Sequence, residues 1–241
     1  MVELLLKQQA DPNIKKEEDW TALMIASQNG HYQVVKLLLK QQADPNIKEE
    51  DWTALMIASQ NGHYNVVELL LKQQANPNIQ NNNGPTALMI ASRNGYYQVV
   101  ELLLKQQADP NIQNNNGITA LYIASQNGHY QVVELLLNQQ ADPNIQNNNG
   151  ITALYIASQN GHYQVVELLL NQQADPNVQL PDGQTALYAA SQNGHYQVVE
   201  LLLKQQADPN IKEEEDWTAL MIASENGHYN VVELLLNNEP I

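Results

Sequence analysis

The sequence predicts an all-α solenoid in which helix-turn-helix units are stacked side by side and short β-turn fingers project from the stack. Three observations predict it: a motif that returns every 32 or 33 residues, apolar residues at helical spacing in each copy, and turn-forming residues between copies. The stretch EEDWTALMIASQNGHY occupies residues 17–32 and returns unchanged at 49–64. A unit of this length buries its apolar surface only against its neighbours.

A threonine that precedes Ala-Leu in every copy sets the register of the repeat. Its seven copies are Thr21, Thr53, Thr86, Thr119, Thr152, Thr185 and Thr218. We therefore expect a single domain over residues 1–241, with a partial unit at 1–14 and seven units at about 15–47, 48–79, 80–112, 113–145, 146–178, 179–211 and 212–241.

The fourth unit illustrates how each element is predicted. Thr119 is suited to cap a first helix through its hydroxyl, and Gly128 is suited to end that helix in the left-handed conformation. A second helix carries Val132, Val133 and three leucines, an apolar arc too wide for a helix that buries only one side. Pro143 is predicted to stop it. The Asn-rich stretch that follows has turn chemistry and no periodicity, which predicts a finger.

The pattern T-x-L…A-x-x-x-G-H-x-x-V-V-x-L-L-L…A-D-x-N covers nearly the whole chain and resembles the ankyrin repeat family, whose period is 33 residues. The resemblance implies an ankyrin-repeat solenoid whose partners lie along the fingers and the concave face made by the first helices. The chain departs from the family at Gln42 and its equivalents, where the family has glycine. If Gln42 keeps a left-handed backbone, each such site costs on the order of 1 kcal/mol.

Composition and charge limit the class of partner. The chain has 26 acidic and 11 basic residues, and a net charge of −15 repels nucleic acid and anionic membranes while it favours a basic partner. The absence of cysteine excludes disulfides and thiolate metal sites, and fits an intracellular, cytoplasmic protein. The opening stretch MVELLLKQQA is too short and too charged to be a signal peptide or a membrane span. We expect neither nucleic acid nor membrane binding.

Two groups of polar residues, the histidines and the acidic turns, are candidates for metal binding or catalysis. A structural role is favoured for both. Six histidines share one position of the repeat, but copies about 10 Å apart cannot share a zinc ion, whose ligands lie at about 2 Å. The resemblance implies that each imidazole bonds backbone near the start of the second helix. The acidic turns beside the tryptophans lack the converging oxygens that calcium needs and the desolvated cleft that an acid–base pair needs. We predict no metal, no cofactor, no catalytic residue and no enzyme activity.

The residue three after each threonine is Met or Tyr, and it is predicted to pack in the seam between first helices, with partner contact as the alternative. The set is Met24, Met56, Met89, Tyr122, Tyr155, Tyr188 and Met221.

Differences between copies are confined mainly to the fingers, where recognition is therefore expected. Trp20, Trp52 and Trp217 are the strongest candidates, because tryptophan is enriched at interaction hot spots. The alternative is that Trp20 and Trp52, on adjacent fingers, pack on each other. The full predicted contact set is Trp20, Trp52, Trp217, Ile118, Ile151, Gln28, Asn29, Gln60, Asn61, Arg93 and Glu225.

These observations favour a non-catalytic protein–protein interaction scaffold that binds a basic or amphipathic protein segment through the fingers and the concave first-helix face. The alternative is a structural or spacer array without a dedicated ligand, either a fragment of a larger protein or a consensus-like designed scaffold. Uniform middle fingers favour the spacer, and tryptophan-bearing fingers favour the binder. Both ends keep the apolar pattern of interior units, so we expect a segment of a longer array or end-to-end self-association through uncapped termini.

Overall fold

The computed structural model describes residues 11–14, 20–48 and 51–237. These ranges contain fourteen α-helices, which alternate between seven and nine residues in length. The first helices of the repeats are α1 (Ala22–Gln28), α3 (Ala54–Gln60), α5 (Ala87–Arg93), α7 (Ala120–Gln126), α9 (Ala153–Gln159), α11 (Ala186–Gln192) and α13 (Ala219–Glu225). The second helices are α2 (Tyr32–Lys40), α4 (Tyr64–Lys72), α6 (Tyr97–Lys105), α8 (Tyr130–Asn138), α10 (Tyr163–Asn171), α12 (Tyr196–Lys204) and α14 (Tyr229–Asn237).

Some predicted features lie outside the described ranges. They are the acidic residues 17–19 and 49–50 of the first two fingers and the apolar residues of the partial unit at 1–10. In the part of the chain that the structure describes, every helix falls short of the length and apolar composition needed to cross a membrane.

The chain packs as two compact units, Met1–Asn115 and Asn116–Ile241. In the first unit α1 packs on α3 and α3 on α5, and in the second unit α7, α9, α11 and α13 pack in the same serial order. Each first helix also packs on the second helix that follows it, and within each unit the second helices pack on one another in serial order. This arrangement confirms the predicted all-α class of stacked helix-turn-helix units.

Short local signals begin and end each helix. The Thr119 hydroxyl accepts a hydrogen bond from the backbone N–H of Tyr122 (3.2 Å), and Gly128 takes the left-handed conformation predicted for it (φ 71°). The expected stop at Pro143 was wrong. Helix α8 ends at Asn138 because Gln140 turns left-handed (φ 64°), and the last carbonyls are then satisfied by the backbone N–H groups of residues 139–141.

The core lies between the first and second helices of each repeat. Val133, Leu136 and Leu169 are completely buried there. The Met/Tyr position is buried as predicted: Met24, Met56 and Met89 are 1% exposed, and Tyr122, Tyr155 and Tyr188 between 5% and 8%. Met221 at the same position of α13 is 51% exposed, so that helix presents apolar surface to solvent.

Replacing Ser158 with alanine is expected to raise the free energy of unfolding by about 1 kcal/mol, because a buried hydroxyl without a hydrogen bond costs more than a methyl-sized apolar group. Six serines at the end of the first helices are buried with unpaired hydroxyls: Ser27, Ser59, Ser92, Ser125, Ser158 and Ser191. Ser224 is the matched control, since it is exposed and donates to the carbonyl of Leu220 (2.7 Å), so its replacement should change little. If urea denaturation showed that Ser158→Ala lowers the free energy of unfolding, the interpretation that this hydroxyl is destabilising would be contradicted.

Candidate protein-binding surface

The last two fingers are tight turns closed by their own backbone. In the finger before α11, Leu180 N–H donates to the Gln184 carbonyl (2.9 Å) and Gly183 N–H donates to the Leu180 carbonyl (2.8 Å). Gly183 has φ 86°, a value that favours glycine. The side chains of residues 181–182 are therefore presented at the tip of a turn whose shape does not depend on a partner.

The finger before α13 makes the same turn with acidic residues. Asp216 replaces the glycine (φ 63°), and Glu213 N–H donates to the Trp217 carbonyl (3.1 Å). The Glu213 carboxylate accepts the backbone N–H groups of Glu215 (2.9 Å) and Trp217 (3.1 Å), so one acid of the run shapes the turn. Glu214 N–H donates to the Asp182 carbonyl (2.8 Å), which ties this finger to its neighbour.

The predicted tryptophan contacts are anchored in the array. Trp20, Trp52 and Trp217 are all partly buried, and so are Ile118 and Ile151, the residues at the base of the middle fingers. Trp20 and Trp52 belong to the first unit and Trp217 to the second. Partial burial leaves some of each tryptophan accessible to a partner, which suits an anchor residue.

The polar members of the predicted contact set lie at the ends of the first helices and are exposed. They are Gln28, Asn29, Gln60, Asn61, Arg93 and Glu225. Two of them also have a structural function, since the side-chain amides of Asn29 and Asn61 donate to the carbonyls of Ile25 and Ile57 (both 2.8 Å). Each of these carbonyls also accepts the backbone N–H of the same asparagine, so the side-chain amide adds a second bond at the helix end. As partner contacts, all six stay predictions.

The recurring histidines join neighbouring repeats. His63 Nε2 lies 2.9 Å from the Gln28 carbonyl, and His195 Nε2 lies 3.0 Å from the Gln159 carbonyl. His162 and His228 make the same bond to Gln126 and Gln192. The predicted bond to backbone is confirmed, and its acceptor is the last residue of the preceding repeat's first helix. Within the described residues, no group of three or more His, Cys, Asp or Glu side chains is placed to hold a metal ion.

An asparagine ladder along the A-D-x-N loops was not anticipated from the sequence. The Asn177 side chain accepts from the Asp208 N–H (2.8 Å) and donates to the Gln206 carbonyl (3.2 Å), both in the next repeat. Asn46, Asn78 and Asn144 make the equivalent pair of bonds. The sequence does contain a signal for this ladder, because asparagine recurs at a fixed distance after each Ala-Asp. That recurrence contributed only to the recognition of the repeat.

A tyrosine in the second unit couples a first helix to the following finger. The Tyr155 hydroxyl donates to the Gln184 side-chain carbonyl (2.7 Å). Burial raises the pKa of Tyr155 to about 12, and nearby Asp182 adds to the shift. Burial also raises the pKa values of Tyr122 and Tyr188.

These shifts predict a loss of stability in strong base. The pKa of Tyr155 is higher in the folded chain than its ordinary value of 10.0, so its contribution is fully present below pH 10 and disappears as pH rises toward 12. Phenolate absorbance near 295 nm should show this tyrosine ionising late, together with unfolding. Tyr155→Phe should reduce that late component by one tyrosine, because Tyr122 and Tyr188 also ionise late, and an unchanged titration would contradict the assignment.

Comparison with known proteins agrees with this geometry. A family model described as ankyrin repeats (3 copies) matches residues 1–81, 50–114, 88–179, 130–213 and 172–241, and so covers the chain from end to end. The chain belongs to the ankyrin repeat family. Among solved structures it is similar to the ankyrin repeat domain of Bcl-3, a member of the IkappaB protein family, with 28% sequence identity and a TM-score of 0.80 over 92% of this chain and 100% of that one. No curated protein sequence matches it.

Membership in the family gives a coarse function. Ankyrin repeats generally mediate protein–protein interactions, and their fold is typical of non-enzymatic interaction scaffolds. The predicted fold class and family are therefore confirmed. The individual contact residues, and association of the array end to end, stay predictions.

Proposed function

We propose that the chain is a non-catalytic scaffold that binds a basic, amphipathic segment of a partner protein through the fingers and first helices of its second unit. The distribution of charge carries the proposal. Residues 116–241 contain 14 acidic against 2 basic residues, a net charge of −12, whereas residues 1–115 contain 12 against 9, a net charge of −3. The negative potential that would attract a basic segment is thus concentrated in the second unit.

Both cations of the second unit are close to carboxylates. Lys204 lies 3.0 Å from Glu200, and Lys212 lies 3.2 Å from Asp216. By contrast, Glu214, Glu215 and Glu225 are exposed on the last finger and the end of α13. Within the described residues these three carboxylates make no ion pair. They are therefore available to pair with lysine or arginine side chains of a partner.

Apolar surface lies beside these acids. Met221 is 51% exposed on α13, and the partly buried Trp217 lies in the finger that leads into this helix. Methionine adapts its shape to different partners, and tryptophan supplies a large contact area. An amphipathic helix could place its apolar face on Trp217 and Met221 and its basic residues on the surrounding carboxylates.

Charge reversal at two of these acids should weaken binding of a basic partner. With an amphipathic helical peptide of leucine and lysine as the probe, we expect Glu214→Lys with Glu225→Lys to raise the Kd by about ten-fold or more, or about 1.4 kcal/mol. Glu134→Lys with Glu167→Lys is the matched control, since it makes the same charge change on exposed positions of the second helices. Titration calorimetry at 0.15 M salt, with circular dichroism to verify folding, measures both. Equal losses in the two double variants would count against this surface.

A spacer array without a dedicated ligand is the second candidate. The identical middle fingers support it, because the stretch Gln-Asn-Asn-Asn-Gly occurs at residues 80–84, 113–117 and 146–150. An array that evolved for recognition is expected to vary its exposed turns. Failure of the intact chain to bind any basic peptide at salt concentrations from 0.05 to 0.15 M would favour the spacer.

A further inference from the structure

The first unit has a continuous trough at the end of its first helices that lies away from the fingers. Two adjoining cavities of about 310 Å³ and 260 Å³ lie there, and both are lined by Gly62 and Tyr64. Tyr32 and His63 line the first cavity, and Tyr96 and Tyr97 line the second. We name this trough, from Gly30 to Gln98, the tyrosine crevice. It shares none of the contact residues proposed above for the basic segment.

Three tyrosines of the crevice are partly exposed. Tyr64, Tyr96 and Tyr97 are 37%, 38% and 38% exposed. Tyr96 stands where the other repeats have histidine, and its ring lies over Gly62, where an added Cβ would come within 3.1 Å of the ring. The Gln60 carbonyl accepts from the Asn94 side-chain amide (3.3 Å), whereas the equivalent Gln126 carbonyl is bonded by both an asparagine and a histidine of the next repeat. The Tyr96 hydroxyl makes no hydrogen bond within the described residues, so it is open to a ligand while the ring packs on Gly62.

The charged side chains of the second helices that carry Tyr64 and Tyr97 are paired. Glu68 pairs with Lys72 and Glu101 with Lys105, each at 2.8 Å, on the second helices that carry Tyr64 and Tyr97. An uncharged segment therefore suits this surface better than the basic segment that suits the second unit. The tyrosine hydroxyls and the side-chain amides of Asn65 and Gln98 supply hydrogen-bond donors along the trough.

The ligand that suits this surface is uncharged, has free hydrogen-bond acceptors, and meets one aromatic ring in each repeat. A polyproline II helix leaves its carbonyls free, and its three residues per turn at 3.1 Å each advance about 9 Å per turn. Packed helices lie about 8–10 Å apart, and Tyr32, Tyr64 and Tyr97 begin successive second helices, so we expect a similar spacing between them. Every third residue of such a segment would thus meet the next tyrosine of the row. We propose that the tyrosine crevice binds an uncharged, proline-rich segment of a partner protein in the polyproline II conformation.

The proposal is tested with an uncharged twelve-residue peptide that has proline at two of every three positions, titrated against the full chain by NMR. The expected result is a shift of the Tyr64, Tyr96 and Tyr97 resonances, and none with a peptide in which alanine replaces proline. Tyr96→His gives this repeat the residue found in the others, so it should fold at least as stably. We expect it to weaken binding by about five-fold, since one aromatic contact is lost.

An internal control comes from the second unit, where the corresponding cavity of about 180 Å³ is lined by Tyr163, His195 and Tyr196 and has histidine at the discriminating position. Its resonances should shift less than those of the tyrosine crevice. No binding, unchanged binding by Tyr96→His, or equal shifts in the two units would overturn the proposal. Because the proline-rich peptide should not compete with a basic peptide, its failure is distinguishable from a failure of the basic-segment proposal.

Discussion

Replacing Gly161 with alanine is expected to destabilise the second unit by about 3 kcal/mol, from the combined costs of a strained backbone and a displaced hydrogen-bonded ring. Gly161 has φ 73°, and an added Cβ would lie 2.7 Å from Nδ1 and Cε1 of His195 in the next repeat. The imidazole would have to move, which breaks its bond to the Gln159 carbonyl (3.0 Å). The substitution therefore acts on the contact between two repeats and on the turn within one.

Gly227 is the matched control for this experiment. It has the same backbone conformation (φ 71°), but an added Cβ there meets nothing within 4 Å. Gly227→Ala should therefore lower the free energy of unfolding by only about 1 kcal/mol, the cost of the left-handed backbone alone. Urea denaturation of both variants, followed by circular dichroism, gives the difference. Equal losses would mean that the histidine seated on each glycine contributes nothing to the stability of the stack.

Glycine at four left-handed glutamines is expected to stabilise the chain by about 3 kcal/mol in total. Gln74, Gln107, Gln173 and Gln206 have φ between 63° and 65° and exposed side chains. A non-glycine residue loses about 1–2 kcal/mol in this conformation, and the greater freedom of glycine in the unfolded chain returns part of the gain. For a chain of this length, the melting temperature should rise by roughly 5–10 °C.

The neighbouring Gln172 provides the opposite control. It is also exposed, but its φ is −103°, so glycine gains nothing there and adds flexibility to the unfolded chain. Gln172→Gly should lower the free energy of unfolding by about 0.5–1 kcal/mol. A fourfold variant that melts at or below the parent temperature would show that these glutamines are not strained.

Most of the fold could be predicted because its signals are local. Thr119 begins a helix and Gly128 ends one through contacts within a few residues, and the Met/Tyr position follows from helical periodicity. The end of α8 was wrongly predicted at Pro143. Glutamine rarely adopts the left-handed conformation, so the identity of Gln140 gave no indication that the helix ends before it. Gln42 has the left-handed backbone that was considered for it (φ 64°), and its energetic cost stays a prediction.

The contacts between repeats could not be predicted from the sequence. His195 and Gln159 are 36 residues apart, and Asn177 and Asp208 are 31 apart, so only the stack reveals which atoms meet. The tyrosine crevice was missed for the same reason, although Tyr96 was visible as an exception. Net charge was readable from composition, but its concentration in the second unit depended on knowing where the chain divides.

The most direct test of the binding proposal is a hydrogen-exchange footprint of the intact chain with and without the basic amphipathic peptide. The proposal predicts slower exchange in the fingers at residues 179–184 and 212–217 and in α13. The second helices α8, α10 and α12 should exchange as they do in the free chain. Protection confined to those second helices or to the first unit, or no protection at peptide concentrations that saturate binding, would contradict it.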